Sequence, residues 1–385
     1  MIRNDYLTYL VRFLGRILAG CLLLAVLSEI VPTSSLQLAY IAEGDRGRLH
    51  IMEIHLMDLD HQLSVILDQF QDHFSVPYDG NSILWWSPDG TKLAFLTDHP
   101  DQSSRELHIL TLTDSELSPR IDADGVVTGT EDQVGWITLS WSPDSRTIAY
   151  TAWHEGSNFT NVSLTLDSDA PASPASSVST ITTSRDTKEI RYNGMWSPDG
   201  AYFAYILSYP AVTNGSLYLQ VLHDPDAAAV RLTNSLLVAV DPYWSPDSTS
   251  IVFLDMLTHD LYRVNINQSD ISTQRLVQKG IYTPVWSPDG TQLAYLKVDS
   301  SNKINLEVID LSTLVTQVLV DQQFGSMASP AWSPERDIIA FTAYDTSSGN
   351  LYLINADGTN LRRIPALPID EFSSAWRPMR EISAP

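Results

Sequence analysis

Six tryptophans in this chain are each followed by Ser-Pro, and that recurrence limits the fold more than any other feature. They are Trp86, Trp141, Trp196, Trp244, Trp286 and Trp332, spaced 55, 55, 48, 42 and 46 residues apart. Trp376 opens a degraded seventh copy, Trp-Arg-Pro-Met, 44 residues further on. Asp follows the proline in five copies, as Asp89, Asp144, Asp199, Asp247 and Asp289, and Glu335 takes that place in the sixth. Gly90, Gly200 and Gly290 complete three of the turns, while Ser145 and Ser248 stand at that position in two others. Periods of about 40–50 residues mean propeller blades or helical arrays.

The segments between the turns decide for strands. Nine residues after each of the six tryptophans comes an aromatic: Phe95, Tyr150, Tyr205, Phe253, Tyr295 and Phe341. Each closes an apolar-small-aromatic or similar triplet such as Leu93-Ala94-Phe95, short, β-prone and bounded by turn residues. Third strands follow at Leu107-His108-Ile109, Leu217-Tyr218-Leu219, Leu261-Tyr262-Arg263 and Leu351-Tyr352-Leu353, with weaker fourth strands such as Val230-Arg231-Leu232 and Val318-Leu319-Val320. Four antiparallel strands per repeat make one blade of a β-propeller.

The two ends supply the count. Leu38-Ala39-Tyr40 is a second-strand triplet with no tryptophan strand before it, followed by third and fourth strands at Leu49-His50-Ile51 and Ser64–Leu67. Phe372–Trp376 is a first strand with only nine residues after it. Joined, the two ends form one blade, so the expected fold is all-β: a seven-bladed propeller of four-stranded antiparallel blades over residues 36–385. Closure of this kind removes the exposed sheet edge of an open ring.

Each residue of the motif has a structural task. The tryptophan brings apolar surface to the packing between blades. Proline fixes φ at the first corner, Asp hydrogen-bonds the turn amides and Gly accepts positive φ. The carboxylates are thereby assigned to turn architecture. Equivalent turns lie one per blade around a ring, so they do not converge on a metal or substrate.

Composition narrows the function. The formal net charge is −23 and the pI about 4.5, which argues against a nucleic-acid partner, because phosphate binding needs clustered Lys and Arg. The lone cysteine, Cys21, precedes the repeats, leaving them without a disulfide, a thiolate metal site or a Cys nucleophile. The nine histidines show no metal-ligand spacing; His50 and His55, five apart on a strand, face opposite sides. Asp122-Ala123-Asp124-Gly125 starts like a calcium loop but lacks the later acidic ligands. No catalytic, cofactor-binding or metal residue is assigned.

Residues 1–35 differ from the rest. Arg3, Arg12 and Arg16 precede an apolar run from Ile17 to Leu27, and a short Pro-Thr-Ser-Ser stretch follows: an export signal or a membrane anchor, with an apolar helix expected there. Leu18-Ala19-Gly20-Cys21 also matches a bacterial lipobox, so cleavage, lipidation and retention all stay open. Export implies an extracytoplasmic protein, periplasmic or at the cell surface, whose membrane contact is confined to this segment.

Trp-Ser-Pro-Asp-Gly followed by the Ile/Leu-Ala-Phe/Tyr triplet resembles the WD-like propeller repeat of the TolB type, over residues 38–376. The resemblance implies a propeller and says little about activity. The family's periplasmic namesake carries an N-terminal α/β domain and usually six blades; here no such domain is read before the first blade and the count is seven. The same repeat builds propellers of dipeptidyl-peptidase-like serine proteases, whose α/β-hydrolase domain carries a Gly-x-Ser-x-Gly elbow; that pentapeptide is absent from this chain.

In a propeller, links between second and third strands share a face with the links between blades, opposite the Ser-Pro-Asp turns. That irregular face is expected to carry residues 69–81, 98–105, 118–134, 153–160, 207–215 and 321–330. Among them Phe74, Trp153, His154, Tyr209 and Phe324 are the candidate partner-binding residues, because aromatics on loops over a rigid scaffold make recognition surfaces. A Ser/Thr/Ala/Pro-rich stretch, 167–186, reads as an exposed loop insertion. The expected function is a monomeric, exported, non-enzymatic scaffold for a protein or peptide partner, with no cofactor. The alternative is a propeller lyase or hydrolase acting on a polysaccharide at the axial mouth.

Overall fold

The computed structural model describes residues 36–46, 49–60, 63–70, 84–98, 105–112, 133–134, 139–154, 158–165, 177–180, 190–209, 212–224, 227–234, 236–266, 271–321, 324–335, 337–345, 348–364 and 370–378. All regular structure among them is β-strand. The apolar helix expected in residues 1–35, and Cys21 with it, lies outside the described residues.

The strands form antiparallel sheets, each named here for its tryptophan. The Trp376 sheet joins the two chain ends, in the order Asp370–Trp376, Gln37–Arg46, Leu49–Asp58, Leu63–Phe70. Its inner pairing sets Leu38 against Trp376 and Ala39 against Ala375, as the closure argument requires. The Trp196, Trp244, Trp286 and Trp332 sheets also have four strands, running outward from the tryptophan strand. The Trp141 sheet has five, its innermost position shared by Gln133–Val134 and Ser140–Trp141. The Trp86 sheet has three: Leu84–Trp86, Lys92–Asp98 and Arg105–Thr111. The expectation of seven four-stranded blades is therefore corrected. Six sheets reach full width, and the Trp86 sheet has three strands among the described residues.

A second correction concerns the stretch 167–186. Residues Ser177–Thr180 are the outer strand of the Trp141 sheet, paired with Val162–Thr165. An outer strand is wetted on its free edge, so it can be built of Ser and Thr and look like a loop.

There is no single core. The buried apolar residues fall into clusters that each straddle two neighbouring sheets. Ala149, Phe203 and Tyr205 join the Trp141 and Trp196 sheets. Leu38, Tyr40, Ala340 and Leu353 join the Trp332 and Trp376 sheets. Ile41, Ile54, Trp86 and Phe95 join the Trp376 and Trp86 sheets, while the cluster of Leu38 and Tyr40 with Ala340 and Leu353 carries the packing between the two ends of the chain.

The aromatic nine residues after each tryptophan is the hub of this packing. Phe95, Phe253, Tyr295 and Phe341 are wholly buried, and Tyr150 and Tyr205 nearly so. In five sheets the hub aromatic stacks on a ring directly opposite it on the third strand: Tyr40 on His55, Phe95 on His108, Tyr205 on Tyr218, Phe253 on Tyr262 and Phe341 on Tyr352, at 4.9–6.0 Å. Such cross-strand pairs add about 0.5–1.5 kcal/mol each beyond the area they bury.

The indole of each tryptophan does more than fill space. Trp141 Nε1 donates to the carbonyl of Trp85, Trp244 to Met195, Trp286 to Tyr243 and Trp376 to Ala331, at 2.9–3.3 Å. The acceptor is always the residue just before the preceding sheet's tryptophan. Trp86 donates in the same way to Ala375 at 3.1 Å, so the series crosses from the first repeat back to the last. Trp196 and Trp332 are the exceptions, with buried indole nitrogens that have no partner.

Candidate functional site: the irregular loop face and the axis

The Ser-Pro-Asp turns are built as the motif predicts, and the carboxylates are spent inside them. Ser87 Oγ donates to Asp89 Oδ1 at 2.6 Å, and the Gly90 amide donates to the Ser87 carbonyl at 2.8 Å. The same serine-to-aspartate bond recurs at Asp144, Asp199, Asp247 and Asp289 at 2.5–2.6 Å. Gly90, Gly200 and Gly290 have φ of 64–73°, and Ser145 and Ser248 hold φ 60° in their place. The serines have a compensating contact, because Ser145 Oγ accepts the Asp89 amide and Ser248 Oγ accepts the Asp199 amide of the preceding sheet, both at 3.0 Å.

These donors hold all five turn carboxyls below the ordinary carboxylate range. For Asp144, Asp247 and Asp289 the serine hydroxyl is the main cause. For Asp89 and Asp199 burial acts upward, and the serine hydroxyl and backbone amides outweigh it. A carboxyl with a depressed folded value stabilises the fold above its unfolded value and loses that contribution as pH falls through the folded one. Urea unfolding is expected to give a flat midpoint from about pH 7 to 5 and a falling one below about pH 4. A midpoint unchanged down to about pH 2.5 would remove the turns from the acid response.

On the opposite face the loops around the Trp244 sheet are tied down. In the Trp244 sheet, Asp255 accepts the Val238 amide at 3.0 Å and the Thr258 hydroxyl at 2.6 Å. The Met256 amide donates to the Val238 carbonyl at 2.8 Å, joining the hairpin 256–260 to the inter-sheet link before it. Asp260 accepts the Lys279 amide at 2.8 Å and Arg275 Nη1 at 3.3 Å, fixing the next link. On this braced framework Leu236 is 85% exposed, Leu257 69% and Met256 58%.

The inner strands add a feature of their own. Asn193, Asp241, Thr283 and Ser373 all have φ of 46–53°, and each stands three residues before its sheet's tryptophan, at a break in the strand register. Left-handed backbone at non-glycine residues is uncommon, and here it repeats in four inner strands around the axis. The Asn193 amide accepts support from the neighbouring sheet, donating to Thr151 Oγ1 at 3.1 Å, and Asn193 Nδ2 donates to Asp241 Oδ1 at 3.3 Å. Burial pushes the Tyr192 phenol up, with the Asp241 carboxylate adding to it. Among the described residues no group of three or more His, Cys, Asp or Glu is placed to hold a metal ion.

The sequence matches the family described as the TolB beta propeller domain over residues 116–380. The chain belongs to that family. Solved structures of similar fold include TolB from Acinetobacter baumannii, 17% identical, with a TM-score of 0.51 over 87% of this chain and 81% of that one. An oligogalacturonate lyase in complex with manganese is 14% identical, with a TM-score of 0.57 over 78% and 82%. A prolyl endopeptidase is 13% identical, with a TM-score of 0.59 over 89% of this chain and 50% of that one. At these identities the likeness is one of fold. No curated protein matches the sequence.

Within this TolB-type propeller the expected partner-binding residues that are described belong to different sheets. Phe324 packs on Tyr352 at 4.7 Å and Phe341 at 6.2 Å, beside the hub aromatic of the Trp332 sheet. Tyr209 ends a second strand, pairs with Val212 and is 39% exposed. Trp153 and His154 are strand residues, paired with Phe159 and Asn158, so 153–160 is largely a hairpin instead of an irregular loop. The same holds for 207–215, which the strands Tyr202–Tyr209 and Val212–Val221 take up. Phe74 lies outside the described residues. The exposed Leu236, Met256 and Leu257 carry no aromatic signal in the sequence. Their signal was an apolar pair, Met256-Leu257, in a position where a hairpin turn has no reason to be apolar.

Proposed function

We propose that this chain is an exported, non-enzymatic scaffold that binds a protein or peptide partner on its irregular loop face. On this reading the three-stranded Trp86 sheet serves as a seventh blade, and residues 1–35 deliver the propeller to an extracytoplasmic compartment. The observation that carries the proposal is the exposed apolar set Leu236, Met256 and Leu257, held on loops braced by Asp255 and Asp260. Apolar side chains presented together on a rigid framework favour a partner that removes them from water. The turn carboxylates, by contrast, are committed to their own hairpins.

The test is retention of a partner from the protein's own envelope fraction. A Leu236→Asp, Leu257→Asp double variant is expected to lose the partner, with affinity down at least about tenfold for the buried apolar area removed. A Leu314→Asp, Val315→Asp variant, altering exposed apolar residues at the turn end of the Trp286 sheet, is expected to keep it. Equal retention by both variants overturns the loop-face reading. Turnover of an oligosaccharide by the unaltered chain overturns the non-enzymatic one.

A further inference from the structure

In the Trp376 sheet the hub pair Tyr40–His55 extends into a relay of polar side chains. His55 Nε2 lies 3.0 Å from Glu53 Oε2, and His55 Nδ1 lies 3.2 Å from Ser64 Oγ. The Tyr40 hydroxyl is 3.2 Å from the same Ser64 oxygen. Glu53 and His55 are each 2% exposed, while Ser64 is exposed on the outer strand Leu63–Phe70. Tyr40 stacks on His55 at 5.1 Å and 15°, restraining the tilt of the imidazole.

The donor inventory assigns the protons. An ionised carboxylate only accepts, so His55 Nε2 carries the hydrogen facing Glu53, and the neutral ring leaves Nδ1 as an acceptor for the Ser64 hydroxyl. The Tyr40 hydroxyl can then donate to Ser64 Oγ. A hydroxyl hydrogen-bonded to a base, itself oriented by a buried carboxylate, is the arrangement that activates a serine. The outer strand is the edge of its sheet, so its outward N–H groups lie along the same rim. Ile66, 44% exposed, stands two residues along on the same face and offers an apolar wall to an acyl group.

We propose that Ser64 is an activated nucleophile that accepts an acyl or phosphonyl group from a small ester or phosphonofluoridate. With an ester, the bond from Ser64 Oγ to the acyl carbon forms while the serine proton passes to His55 Nδ1. The carbon–alkoxide bond then breaks, and the leaving oxygen takes that proton. Glu53 stabilises the imidazolium in between, and the Tyr40 hydroxyl, hydrogen-bonded to Ser64 Oγ, holds the serine in position for attack. The site lies on the outer rim, so it stands independently of the partner-binding reading.

The test treats the full chain with a fluorophosphonate, in which Ser64 Oγ bonds to phosphorus and fluoride leaves, and reads the adduct by intact mass and peptide mapping. The expected result is one adduct per chain at Ser64, absent in Ser64→Ala. Labelling should be slowed at least about a hundredfold in Glu53→Gln, which keeps the side-chain shape but removes the charge behind the imidazole. Because Ser64 is exposed, Ser64→Ala is expected to unfold at the same urea concentration as the unaltered chain. No adduct, an adduct that persists in Ser64→Ala, or an unchanged rate in a folded Glu53→Gln overturns the proposal. Repeated turnover of p-nitrophenyl acetate, lost in Ser64→Ala, would support the activated serine while overturning only the non-enzymatic reading of the chain.

Discussion

Arg377→Ala is expected to lower the unfolding free energy by about 2–4 kcal/mol, because it strips one side chain of three separate contacts across the join of the ring. Arg377 Nε donates to the Gly90 carbonyl at 2.7 Å, Nη1 donates to Gln37 Oε1 at 2.7 Å, and the guanidinium lies 5.4 Å from the Trp86 ring centre. The residue thus clasps the C-terminal strand to the first turn and to the first strand of the chain at once. Burial draws its pKa down, opposed by the Asp89 carboxylate, and a guanidinium stays charged throughout. Lysine cannot make the forked pattern, so Arg377→Lys should recover less than half of the loss. Denaturant unfolding of the three proteins checks this; an Ala variant within about 0.5 kcal/mol of the unaltered chain would make the clasp incidental.

The second large effect separates the two jobs of the repeated tryptophan. Trp244→Ala should cost about 3–5 kcal/mol, since it opens a cavity between the Trp196 and Trp244 sheets. Trp244→Phe retains most of the apolar volume and loses the indole donor to Met195, leaving a carbonyl to be satisfied, for about 1–2 kcal/mol. At Trp332 the indole nitrogen is buried without a partner, so Trp332→Phe also removes an unsatisfied donor and should cost about 1 kcal/mol less than Trp244→Phe. Equal losses at the two positions would show that the indole hydrogen bonds contribute nothing beyond packing.

Much of this architecture is readable in the chain because the residues that specify it recur at fixed offsets. The turn chemistry of Ser87 to Gly90 repeats with the same donors, and the aromatic nine positions on is buried in every copy. What resists reading is whatever breaks the repeat. Ser177–Thr180 is a strand made of loop-like residues, since an outer strand needs no apolar face. Arg377 occupies the place of a motif serine and reads as decay, yet it acts through Gly90 and Gln37, 287 and 340 residues away in sequence. The left-handed residues of the inner strands are half legible: Asn193 and Asp241 are types that tolerate that conformation, whereas Thr283 and Ser373 are not. Aromaticity singles out Phe324, whose ring packs on Tyr352, whereas the exposed Met256-Leu257 pair carries no aromatic signal. The relay to Ser64 joins residues on three strands, and no linear motif announces such a convergence.

The indole series has a topological consequence. Every link in it points the same way, from one tryptophan to the sheet before, and the link from Trp86 to Ala375 differs from the rest only in bridging the ends of the polypeptide. Beside it the Arg377 amide donates to the Gln37 carbonyl at 2.8 Å, so the entry and exit of the ring touch. To the assembled ring, then, the place where it is opened is a matter of indifference. The same circle could be written starting from any inter-blade link, with the present ends spliced by a few residues. Only the clasp at Arg377 remembers where the thread was cut.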